Sequence, residues 1–154
     1  MSRIKNNLCF LLLIFTMQIG IVEKLPAKEM EPEVFLQYFI EAFNDKNSNV
    51  LKTVFNEPLL RVTAGRITSY TRWNDYIDYQ KIESTGWARS VINSSSVPFE
   101  DNESAVLKMN FSRLDNKDNL IVRSDVTYLL LKVKGAWKIA TVIIPDKVPV
   151  SSGD

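Results

Sequence analysis

The order of patterns after residue 30 limits the fold more than any other feature. A helical stretch comes first, then a shorter one, a hairpin-like pair and a third helical stretch. Three or four long alternating segments follow and end in Gly135-Ala136-Trp137-Lys138-Ile139. Helices first and strands last point to an α+β, cone-shaped fold: three N-terminal helices packed on a strongly bent antiparallel sheet. Such a cone can hold a pocket.

Each segment has a local reason. Glu31-Pro32-Glu33 opens a helix well, because proline is tolerated in the first turn and acids suit the positive end of the helix dipole. Val34, Phe35, Tyr38, Phe39, Ala42 and Phe43 recur at helical spacing as one apolar stripe, which Asn44-Asp45-Lys46-Asn47 breaks. Asn47 or Ser48 is suited to cap a second helix to about Phe55, with Val50, Leu51, Val54 and Phe55 inward and Pro58 closing it. Leu59 to Thr63 and Arg66 to Tyr70 read as a hairpin around Ala64-Gly65. A third helix is expected from Arg72 to about Ile82, capped by Ser69 or Thr71, with Trp73, Tyr76, Ile77 and Tyr79 or Gln80 as its stripe.

Strands are expected from Trp87 to Ser95, with a turn at Pro98 to Asn102, and from Ala105 to Leu114. In the latter Ala105, Leu107, Met109 and Phe111 share one face, and Lys108, Asn110 and Ser112 the other. Asp115 to Asn119 is a turn, Leu120 to Lys134 a long strand, and Lys134-Gly135 a tight hairpin into Ala136 to Ile144. Pro145 stops that strand.

The first seven residues carry Arg3 and Lys5 and no acid, and Leu8 to Val22 is almost wholly apolar. A basic start and about 15 apolar residues have the form of a secretory signal, whereas a membrane-spanning helix needs about 20. Ala27 is the expected last removed residue. The expected division is a signal peptide over 1–27, one domain over 28–146 and a loose tail over 147–154. The mature chain is expected to be secreted or periplasmic, with no stable membrane span after processing; an uncleaved N-terminal anchor is the alternative.

Composition excludes several chemistries. The chain has no histidine, so Ser-His and Cys-His nucleophile pairs are absent, and so is the commonest transition-metal ligand. Its single cysteine, Cys9, lies in the apolar run, so a processed domain has no thiol for disulfides, catalysis or metal. Net charge is +1, and leaving out Arg3, Lys5, Lys24 and Glu23 takes it to −1. No clustered basic face suggests nucleic acid, and no cofactor or metal motif is present. Asn93-Ser94-Ser95, Asn102-Glu103-Ser104 and Asn110-Phe111-Ser112 fit the glycosylation pattern, but the high Asn, Lys and Ile content looks bacterial.

Gly86-Trp87 with Ser90, Ala105-Val106-Leu107 with Phe111-Ser112-Arg113, Asp125 with Tyr128, and Gly135-x-Trp137-x-Ile139 resemble the nuclear transport factor 2-like superfamily, also called cystatin-like or SnoaL-like. The resemblance runs from Glu31 to Ile144 and is nearest to a bacterial branch of unassigned function. It implies a pocket between the first helix and the concave sheet face, and a homodimer through the outer face. The superfamily holds ketosteroid isomerases, polyketide cyclases, scytalone-type dehydratases, dioxygenase small subunits and many non-catalytic proteins, so fold does not choose among activities.

Two residues carry the catalytic expectation. Tyr38 matches the place where the isomerases hold their donor tyrosine, although the base aspartate of those enzymes has no counterpart in Asn56-Glu57-Pro58. Asp125 is a mid-strand carboxylate: either a pocket acid held by Arg113 or Arg123, or half of a cross-strand ion pair on the outer face. Phe39, Trp73, Tyr76, Trp87, Arg89, Arg113 and Tyr128 are the expected pocket walls or grips for a small apolar or aromatic ligand, and core packing is the plainer role of each aromatic. Trp137 is expected to be a structural anchor. The expected function is an exported small-molecule-binding or otherwise non-catalytic module. Its rivals are an isomerase, cyclase or dehydratase using general acid-base chemistry, and a structural or interaction domain with a filled pocket.

Overall fold

The structure is a computed structural model that describes residues 30–145 and 148–149. The expected signal peptide therefore lies outside the described residues. Among the described residues, no helix is long and apolar enough to cross a membrane.

Helix α1 spans Pro32–Asn44 and α2 spans Ser48–Val54, capped by Asn47, whose side chain accepts from the Val50 amide. The buried face of α1 is Phe35, Leu36, Phe39, Ile40, Ala42 and Phe43, and each large apolar side chain there contributes on the order of 1.5–3 kcal/mol by leaving water. This corrects the expected stripe: Leu36 and Ile40 are inside, Val34 is exposed and Tyr38 is only half-buried. Aliphatic side chains bury without cost, while a tyrosine hydroxyl needs a partner or water. The second helix ends at Val54, and Phe55 already belongs to strand β1, Phe55–Thr63, which runs through Pro58.

Strand β2, Arg66–Tyr70, returns through a two-residue turn in which Ala64 and Gly65 both have positive φ, 47° and 74°. That geometry matches the twist of a hairpin and favours glycine at the second place. The expected third helix is two short ones, α3 (Trp73–Tyr76) and α4 (Tyr79–Glu83). The break has a local cause: Ile77 is extended, and the Asp78 carboxylate accepts from the Lys81 amide and starts a new turn. Neither Ser69 nor Thr71 caps α3; Glu57 Oε1 accepts from the Trp73 amide at 3.0 Å.

Strands β3 (Arg89–Glu100), β4 (Ser104–Leu114), β5 (Leu120–Val133) and β6 (Ala136–Ile143) complete a six-stranded sheet of order β2-β1-β6-β5-β4-β3. The sheet is not wholly antiparallel, because β1 lies parallel to β6. Strand β3 continues past Pro98, where a turn was expected; it is an edge strand and its register shifts between Ser96 and Phe99, the two settings that tolerate proline. Of the expected loose tail, Val148 is fully buried.

The Asp115–Asn119 turn is held by Asp115, which accepts from the Asn119 side chain at 2.9 Å and from the Asn119 and Lys117 amides at 2.8 Å. These bonds, the Asn119 side chain first, hold its carboxyl below the ordinary 3.8. A depressed folded-state pKa stabilises the fold above 3.8 and loses that contribution as pH falls through the lower value. Asp115→Ala is therefore expected to lower the melting temperature at pH 7, and an acid titration should show the gap from the parent closing below 3.8.

The outer sheet face is mixed. Asn93 Nδ2 donates to Asn110 Oδ1 and Ser112 Oγ, and Asn110 Nδ2 donates to Asp125. Nearer β6, Ile67, Val62 and Ile143 share one cross-strand row, with Ile67 72% exposed. Val126 is buried, and Val106 and Val122 are half-buried.

Candidate functional site

Between α1 and the inner face of the sheet lies a partly open cavity. Phe39, Ile40 and Phe43 of α1 form one wall, Met109, Phe111 and Arg113 of β4 another, and Tyr128 of β5 and Val142 of β6 close it, with Phe55, Tyr76, Ile77, Ser90 and Ile144 at its margins. The volume that water centres reach is about 40 Å³, against roughly 10–15 Å³ for one water. The space between the elements is therefore not completely filled by their own side chains.

The walls are rigid by construction. Phe39 meets Phe55 and Tyr128 edge-on at centroid distances of 5.5 and 5.9 Å, and Phe43 at 6.1 Å. Such aromatic contacts add about 0.5–1.5 kcal/mol each beyond burial. The end of α1 is tied to β3 by Asn44, whose Nδ2 donates to the Ser90 carbonyl at 2.9 Å while its Oδ1 accepts from the Ser90 amide at 2.8 Å.

Arg113 is the charged member of the lining. It is 3% exposed, and its guanidinium carbon lies 6.0 Å from the centre of the Phe111 ring. Nη1 donates to the Pro149 carbonyl, and Nε has no hydrogen-bond partner among the described residues. Burial pushes its pKa down to about 10, which leaves it cationic at neutral pH. Burial also raises the Tyr76 and Tyr128 hydroxyls, while the Arg113 charge pulls each part of the way back. Both phenols are neutral in any physiological medium.

The structure brings together Phe39, Tyr76, Arg113 and Tyr128 of the residues singled out in the sequence. It places the others elsewhere. Asp125 is exposed and accepts from Asn110 Nδ2 at 2.8 Å. Register explains this: Asp125 stands opposite Asn110, on the face away from Met109 and Phe111. Asp125 and Arg113 therefore lie on opposite faces, and Arg123 donates to Ser112 Oγ. Tyr38 is half-buried and outside the lining. Trp73, the first residue of α3, is half-buried against the core and outside the lining. Trp87 is buried behind the cavity, 5.4 Å from Phe43 and 6.0 Å from Tyr79, with Nε1 donating to Ser90 Oγ. Arg89 is exposed and pairs with Asp118 at 2.9 Å.

Sequence reasoning missed Ile40, Ile77 and Val142 as walls and Asn44 as a clamp. Met109 and Phe111 share the strand face that the alternation gives them with Ala105 and Leu107, a pattern that does not single them out as walls. Trp137 is the anchor expected: it is 2% exposed, its Nε1 donates to the Met30 carbonyl at 2.9 Å, and Lys132 Nζ sits 4.3 Å from its ring centre.

Solved structures share the architecture. An NTF2-like protein of unknown function from Shewanella oneidensis superposes with a TM-score of 0.57 at 15% identity, over 74% of this chain and 95% of that one. A protein of unknown function with a cystatin-like fold from Nostoc punctiforme gives 0.57 at 12% identity, over 76% and 90%. A protein provisionally assigned as a ketosteroid isomerase from Shewanella frigidimarina gives 0.56 at 13% identity, over 77% and 94%. At such identities the likeness speaks for the fold. No relative among the curated proteins matches the chain. A family model covering residues 29–147 agrees with the sheet order, the helices and the sequence resemblance, and the chain belongs to the family described as NTF2-like protein (DUF6841).

Proposed function

We propose that this chain is a small-molecule-binding module whose ligand lies inside the cone, between α1 and the inner face of the sheet. The observation that carries this reading is the unfilled, mostly apolar cavity with one buried cation in its wall. Apolar concavities with a few placed polar groups are the usual form of small-ligand sites. Export is part of the proposal, supported by the basic start and apolar run of residues 1–22.

The rival, isomerase or dehydratase chemistry, needs a general base beside the substrate. Among the described residues the cavity lining contains no carboxylate, Asp125 is on the far face of the sheet, and the chain has no histidine. Those facts favour binding over acid-base catalysis.

The test is an amide-shift titration with butyramide, a small neutral probe. Binding should perturb Phe39, Met109, Tyr128 and Val142. Val142→Ile adds one methylene to the wall and should weaken binding roughly fivefold or more, since overfilling a packed space costs about 1–3 kcal/mol. Shifts scattered over the surface, or unaffected by Val142→Ile, would count against an internal site.

A further inference from the structure

Among the described residues, no carboxylate compensates the charge in the cavity wall. Arg113 follows Ala105, Leu107, Met109 and Phe111 on the inward side of β4, so the strand itself delivers a cation into an apolar space. Buried charges are normally paired, because an isolated one is expensive to remove from water. Among the described residues, no aspartate or glutamate lines this cavity. The Pro149 carbonyl engages Nη1 alone, and the Ser90 hydroxyl already accepts from Trp87. Tyr76 and Tyr128 stay neutral, so neither supplies an anion. Nε has no hydrogen-bond partner among the described residues.

Resting on the internal-site reading above, we propose that the cavity takes a small monocarboxylate, its head on Arg113 and its short apolar tail among Phe39, Met109, Phe111 and Tyr128. A guanidinium is a planar fork able to meet both oxygens of a carboxylate. A phosphate would bring more acceptors and charge than one arginine and an aromatic wall satisfy. Size sets the tail: the open space equals roughly three waters, or about 90 Å³ of liquid, which suits a few carbons and excludes a peptide.

Butyrate, butyramide and inorganic phosphate are titrated against the parent, Arg113→Met and Arg113→Lys, with binding read by calorimetry and by amide shifts at the lining residues. The parent should bind butyrate at least about tenfold more tightly than butyramide. Arg113→Met should abolish that preference, bringing the two affinities together, and Arg113→Lys should keep part of it. Equal affinities for butyrate and butyramide in the parent, both at the lining residues, would overturn the carboxylate assignment while leaving the internal site intact. Failure of both to reach those residues would overturn the site itself. Phosphate competing as well as butyrate would overturn the monocarboxylate class. Should Arg113→Met not fold, the butyrate-to-butyramide ratio in the parent and in Arg113→Lys decides.

Discussion

Trp137→Ala lowers stability by about 3–5 kcal/mol, the usual cost of deleting a buried large aromatic. The indole is 2% exposed. Its loss leaves the Met30 carbonyl without its donor and Lys132 without the ring it covers. The ring also follows the Lys134-Gly135 turn, whose residues both have positive φ, so it anchors the β5–β6 hairpin in register with Lys132. A domain of this size holds about 5–15 kcal/mol in total, so the variant should melt at least about 10 °C below the parent. Trp137→Phe should recover most of the packing and not the hydrogen bond. Urea melts of the parent and the two variants check this; an alanine variant within about 1 kcal/mol of the parent would mean the indole is not the anchor described.

Phe39→Ala is the second large effect, also about 3–5 kcal/mol. Phe39 touches Phe43, Phe55 and Tyr128 and forms part of the cavity wall, so its deletion enlarges a space that is already open. Rigid aromatic surroundings relax only partly around such a gap. The ring's removal leaves an apolar recess beside Phe43, Phe55 and Tyr128 that can take an apolar guest. Benzene should therefore raise the melting temperature of Phe39→Ala and leave the parent nearly unchanged, by the ordinary linkage of binding to folding. Thermal melts with and without benzene separate this from simple destabilisation: an equal response in both proteins would mean that Phe39 does not bound the cavity.

Much of the architecture was legible because local rules decide it. The Asn47 cap, the Ala64-Gly65 and Lys134-Gly135 turns and the alternation of Ala105 to Phe111 all stand where spacing and turn chemistry put them. The same alternation carries Arg113 inward. Register between strands has no such local signature. Asp125 belongs to the outer face only because it stands opposite Asn110, and a one-residue slip would have turned it inward. The α1 stripe misled through breadth: Val34 and Tyr38 lie at helical spacing, yet the sheet packs on a face rotated toward Leu36 and Ile40. The third helix broke because the short-range bond from Asp78 to the Lys81 amide outweighed continuous apolar spacing. The parallel pairing of β1 with β6 joins segments far apart in sequence, which no window of residues reveals.

The clamp of Asn44 on Ser90 has a further consequence for assembly. Strand β3 is the last in the sheet, and an outermost strand offers free backbone groups to any extended chain that approaches. At Ser90 both of those groups are taken by one carboxamide, which imitates a neighbouring backbone for the length of a single residue. The helix thus guards this border against templated growth, and replacing Asn44 would expose a place where copies of the chain could begin to polymerise edge to edge.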